Sequence, residues 1–236
     1  MSYAMDYSPI AAHASDRARA AFIRRTYGHL AGAILAFVAL ETVLLNLPNI
    51  KEIVIAMIGS RVSWLLVLLA FMGAGWLAQS LAESDTSPAV QYFGLALYVV
   101  AEAVIFIPLL YIATMFYKDA IETAGILTLA VFAGLTITVF ITRRDFSFLR
   151  PILAIGSMLA LGVIIASLVL GGFNLGIFFC FAMVALLSGY VLYYTSNVLH
   201  HYRTDRHVAA SLALFSCIAT MFWYILQIVM YASGRD

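Results

Sequence analysis

At 236 residues, 64% of them hydrophobic and only 11% charged, the chain has a mean hydropathy of +1.00. A water-soluble globular chain carries about 25% charged residues, so this composition excludes one and points to a polytopic, all-α membrane protein. The formal net charge of +1 and the lack of a basic block argue against nucleic acid as a partner.

Residues 1–25 are polar and end in Arg17, Arg19, Arg24 and Arg25, without the short apolar region and small-residue cleavage site of a signal peptide. They read as a cytoplasmic N-terminal arm, and residues 26–236 as the transmembrane domain, whose first span serves as an uncleaved insertion signal. Apolar runs long enough to cross the roughly 30 Å hydrocarbon core occur at 27–47, 63–82, 89–116, 120–141, 150–171, 175–198 and 208–231. Seven transmembrane helices are therefore predicted. Between the first two runs, Ile53–Ile58 is too short to span; it either lies at the interface or extends the second helix. The link Gly171-Gly172-Phe173-Asn174 is short enough to make the fifth and sixth spans a tight antiparallel pair. Small residues such as Gly73, Gly75, Gly134, Gly156 and Gly162 are explained by close helix approach.

Orientation follows from the basic residues of the links. An internal N-terminus puts nine on the cytoplasmic side, against four (Lys51, Arg61, Lys118 and Arg235) outside. The N-terminus is thus expected in the cytoplasm and the C-terminus outside, with a bacterial inner membrane as the expected location.

The last two runs are more polar than simple anchors. They carry Ser188, Tyr193, Tyr194, Thr195, Asn197, Ser211, Ser216, Cys217, Thr220 and Gln227, joined by His200-His201-Tyr202-Arg203-Thr204-Asp205-Arg206-His207. Such groups face protein or water rather than lipid, which places this hairpin inside the bundle. Cys180 and Cys217 read as small buried hydrophobes. Two carboxylates lie well inside apolar runs, Glu41 in the first and Glu102 in the third. Each costs a few kcal/mol at the bilayer centre, so each should face a cavity, a partner or the bundle interior. A hydrated path lined by one or both would bind a cation or relay a proton. Pro108, six residues after Glu102, frees a backbone carbonyl one turn earlier, and a carbonyl beside a carboxylate suits a hard cation. A single carboxylate nevertheless makes a weak calcium site. His29 reads as a packed, hydrogen-bonded residue, and His200, His201 and His207 as a solvated loop rather than a metal site. No zinc-protease, nucleophile-elbow or phosphate-loop motif is present. Neither enzyme activity nor a cofactor is expected.

Several segments together resemble one family. They are Thr26-Tyr27-Gly28-His29-Leu30; Phe132-Ala133-Gly134-Leu135-Thr136 running into Thr142-Arg143-Arg144-Asp145-Phe146-Ser147-Phe148-Leu149; Leu192-Tyr193-Tyr194-Thr195; and Ala209-Ala210 with Leu212, Leu214-Phe215 and Ile218. The chain is similar to the Bax inhibitor-1, or transmembrane Bax-inhibitor-motif, family from about residue 20 onward. The resemblance implies six helices around a central seventh. It also implies either a pH-sensitive calcium leak channel or a modulator of a membrane-bound ATP-dependent protease or of cell death. In the leak scheme two aspartates, in the sixth and seventh helices, share a proton, because adjacent carboxylates in a low dielectric do not both ionise cheaply. This chain departs from that pattern: the matching positions hold Tyr194 and Cys217, which do not titrate as a coupled carboxylate pair near neutral pH. The basic residue of the second helix that latches the pair is missing as well, since no Lys or Arg occurs between Val62 and Tyr117. Asp145 is kept, and is expected to cap the fifth span or pair with Arg143 or Arg144 at the cytoplasmic surface. The expectation is a weak cation or calcium leak through the bundle without the two-aspartate gate. The alternative is a non-conducting modulator of a membrane protease or other complex.

Overall fold

The computed structural model describes residues 9–85, 87–169 and 176–234. Among these, eight α-helices and one 3₁₀ turn, Ala11–His13, account for the regular structure, and no strand occurs. The helices are α1 (Asp16–Leu45), α2 (Ile50–Ile58), α3 (Arg61–Ala82), α4 (Pro88–Phe116), α5 (Ala120–Thr142), α6 (Leu149–Val169), α7 (Gly176–His200) and α8 (His207–Ser233). All except α2 are long and apolar enough to cross a membrane, giving the seven predicted spans.

Local chemistry sets the helix starts. Ser15, Ser60 and Ser87 each accept a hydrogen bond from the backbone N–H three residues on, at Ala18, Ser63 and Val90, and Pro88 fills the first position of α4. Helix α1 begins eleven residues before the start of the first apolar stretch, inside the region read as an arm. Ser15 caps it and Ala18, Ala20 and Ala21 propagate it despite the surrounding charges. Thirty residues at about 1.5 Å each give roughly 45 Å, so its first turns project beyond the hydrocarbon. Helix α2 is a separate short element rather than an extension of α3. Its Val54 and Met57 pack on Ile107 of α4.

Helix α8 touches α1, α3, α4, α5 and α7, which makes the final helix central as expected. It shares the centre with α4, the other span of which about half is buried. The closest helix contact is between α3 and α4, where a Cβ on Gly94 would lie 2.6 Å from the Ala78 carbonyl oxygen and 2.7 Å from the Ala82 nitrogen. Only a hydrogen side chain lets the two backbones meet there. Across α1, the buried residues Phe22, Thr26, Leu30, Ala33, Phe37 and Glu41 recur every three or four positions and form one inward stripe. At one end of that stripe Ser211 donates a 2.8 Å hydrogen bond to the Thr26 carbonyl, joining α8 to α1. Helix α6 packs chiefly on α7, where Ser157 and the Tyr190 hydroxyl share a 2.8 Å bond. The link predicted at 171–174 lies outside the described residues.

Candidate ion pathway

Glu102 sits halfway along α4 and is 2% exposed, with its Oε1 buried and unpartnered. It lines a cleft of about 420 Å³ built from α3, α4, α6, α7 and α8. The cleft extends from Thr220, midway along α8, to Tyr231 near its end, about 16 Å of helix rise. Thr220 and Gln227 supply further polar atoms to its wall. Pro108 does not contribute the second ligand expected of it. The carbonyl it frees belongs to Val104, about 200° around the helix from Glu102, and the Val104 side chain is 43% exposed on the other side.

One turn before Glu102, Tyr98 faces the same carboxyl and shares a 2.8 Å hydrogen bond with Ser216 Oγ. Tyr98 and Cys217 are both buried in the central cluster, and Tyr194 of α7 packs against that same cluster. Towards the end of the bundle that carries the N-terminus, Tyr194 lines a second cleft. It measures about 450 Å³ and is bordered by Gln79, Glu83, Arg150, Asn197 and His201. The two clefts share no lining residue, and Tyr98, Ser216 and Cys217 line neither of them. Tyr98 was not singled out in the sequence, although a phenol four residues before a buried glutamate lies on the same helix face.

Glu41 is 5% exposed with both carboxylate oxygens buried and unpartnered. It belongs to the inward stripe of α1 but lines neither cleft. The structure does not bring it into the Glu102 site.

At the N-terminal end, the α7–α8 link is tied to every neighbouring link. Ala11 N–H donates to the Tyr202 carbonyl at 2.8 Å and Thr204 N–H to the Pro9 carbonyl at 3.1 Å, which holds the segment before α1 against it. Arg203 and Arg206 both pair with Asp85 of the α3–α4 link. His201 Nε2 lies 2.9 Å from Asp145 Oδ2 in the α5–α6 link. Asp145 also accepts from the Ser147 N–H at 2.8 Å and from Ser196 Oγ at 3.3 Å. It turns the link as a capping residue would, but its cationic partner is His201, not Arg143 or Arg144. Burial alone would raise the Asp145 pKa; the hydrogen bonds from Ser147 and His201 and the His201 charge outweigh it and bring it from 3.8 to about 2. His29 donates to the Arg25 carbonyl and His207 bonds the Tyr92 hydroxyl, with the two imidazoles 5.1 Å apart between ring centroids. Among the described residues no three His, Cys, Asp or Glu side chains gather as metal ligands.

A bundle of seven helices long and apolar enough to span, with its final helix inside and a buried carboxylate lining a cleft between helices, defines a polytopic integral membrane protein. The family model for Inhibitor of apoptosis-promoting Bax1 matches residues 19–234. The chain belongs to the Bax inhibitor-1 family. It is 31% identical over 118 residues to an uncharacterized protein of Pseudomonas aeruginosa, a match covering 50% of this chain and 53% of that protein. It is 25% identical over 234 residues to the Golgi anti-apoptotic protein of Vaccinia virus, covering 98% of this chain and 93% of the relative. Protein lifeguard 4 of Mus musculus is 24% identical over 230 residues, covering 94% and 90%. No solved structure matches significantly.

Proposed function

We propose that this protein provides a weak cation path through its bundle, in a bacterial inner membrane with the N-terminus cytoplasmic, and without a two-aspartate pH gate. The observation that carries the reading is Glu102, 98% buried yet facing an internal cleft with an oxygen that has no partner. A carboxylate kept in that state costs stability, and a cation passing the cleft is what it can serve. The layer of Tyr98, Tyr194, Ser216 and Cys217 would close the path at rest. Its parts are phenols, a hydroxyl and a thiol, so the layer holds no pair of carboxylates to share a proton.

The competing reading, a non-conducting modulator of a membrane protease or other complex, draws on the N-terminal arm. The described part of that arm is engaged with the protein's own α7–α8 link, so it offers an assembled face rather than a loose tail. Purified protein in liposomes loaded with a calcium or pH indicator tests the path. Flux that falls several-fold in Glu102→Gln, with the variant still monodisperse, supports it. Flux no greater than in empty liposomes removes it.

A further inference from the structure

The Glu102 cleft has the wrong walls for calcium. A calcium ion takes six to eight oxygen ligands, whereas this cavity offers one carboxylate and no carbonyl freed by Pro108. Two of its further side-chain oxygens on α8, those of Thr220 and Gln227, are about two helical turns apart. The same cleft is lined by Trp64 and Phe71 from α3, Phe106 from α4, Phe179 from α7, and Trp223 and Tyr224 from α8. Phe106 and Trp223 meet edge to face at 5.0 Å, and Phe179 and Tyr224 at 5.9 Å, so the rings support one another as a fixed wall. Aromatic faces attract a cation through their quadrupole, most strongly for Trp and where water is excluded. A buried carboxylate needs a counter-charge. A volume of about 420 Å³ falls in the range of small-molecule pockets and is far larger than a bare ion requires.

We propose that this cleft is a binding site for a monovalent organic cation, an alkylated or aryl-substituted ammonium. The charge would sit against Glu102 and the substituents against Trp64, Phe106 and Trp223. The inference deepens the cation-path reading by naming the class of cation, and its test does not depend on flux.

Two of the three tryptophans line the cleft, while Trp76 is 75% exposed elsewhere on α3. Intrinsic fluorescence therefore reports on the site. Benzyltrimethylammonium is titrated into detergent-solubilised protein beside neopentylbenzene, its uncharged carbon isostere. The expected result is a saturable fluorescence change at least tenfold tighter for the ammonium than for the isostere. In Glu102→Gln the ammonium should lose that preference, while the isostere binds as before. Trp76→Phe should leave the signal intact, and Trp223→Phe should remove much of it. Equal affinity for the two probes, or an ammonium affinity unchanged in Glu102→Gln, overturns the proposal. Should Glu102→Gln fail to fold, the comparison of probes on the wild-type chain decides alone. Binding without flux sinks only the conduction reading; flux without ammonium preference sinks only this one.

Discussion

Replacing Glu102 with methionine separates a residue kept for function from one kept for the fold. Methionine has a similar length and no hydrogen-bonding demand. In the native chain Glu102 is 2% exposed and its Oε1 has no partner. A buried unsatisfied polar group costs about 1–3 kcal/mol, so Glu102→Met should recover stability of that order. For a chain of this length each kcal/mol moves the melting midpoint by about 2–4 °C, which predicts a rise of about 2–12 °C by fluorescence-detected thermal unfolding in detergent. The same variant should conduct no better than empty liposomes. Glu41→Met supplies the internal comparison. Both Glu41 oxygens are unpartnered, so its gain should be at least as large, yet flux should persist because Glu41 lines neither cleft. A fall in the Glu102→Met midpoint of more than a few degrees, in a variant that remains monodisperse, would show that the carboxyl is a structural bond-maker and refute the reasoning.

Three further outcomes follow from particular contacts. Gly94→Ala puts a methyl group 2.6 Å from the Ala78 carbonyl oxygen and should destabilise the bundle by about 1–3 kcal/mol; Gly32→Ala, which meets nothing within 4 Å, should be neutral or stabilising in the same unfolding assay. Tyr98→Phe removes the 2.8 Å bond to Ser216, worth about 1 kcal/mol, and if opening the layer breaks that bond, flux should rise up to about fivefold. Asp145 has its pKa depressed from 3.8 to about 2, so its contribution is fully present above pH 3.8 and lost as pH falls towards 2. The stability advantage of wild type over Asp145→Asn should therefore shrink as pH falls from about 4 to 2; because Asp145 and His201 are nearly half exposed, it should stay at the modest size of a surface pair.

The seven spans and the central last helix were legible because length and apolarity are additive along the sequence, and a buried polar hairpin has few other places to go. The start of α1 was not. Asp16, Arg17 and Arg19 look like a soluble arm, and the Ser15 cap outweighs that impression only once the Arg19 side chain is seen to bond the Ala11 and Ala12 carbonyls. Glu102 could be picked out as a carboxylate in an apolar run. Its cage could not, since Trp64, Phe179 and Trp223 come from three helices whose rotation no single stretch encodes. The expected pairing of Asp145 with a neighbouring arginine failed for a related reason: adjacent residues diverge, and His201, 56 positions away, is delivered by the fold.

Under the proposed reading, Tyr194 and Cys217 in place of paired aspartates would also change what the centre of the bundle senses. In the family scheme a shared proton controls the barrier, and the energy of bringing two charges together does the switching. Here the layer proposed to close the path holds the Tyr98–Ser216 bond, with Tyr194 and Cys217 in the same packed cluster, and has no pair of carboxylates to store such energy. On that reading control would come from elsewhere. Arg203, Arg206 and His201 gather the α3–α4 and α5–α6 links onto the α7–α8 link, directly above α7 and α8, which carry Tyr194 and Cys217. A disturbance of those surface pairs would reach the barrier through two rigid helices, so ionic strength, which screens such pairs strongly, should change the open fraction.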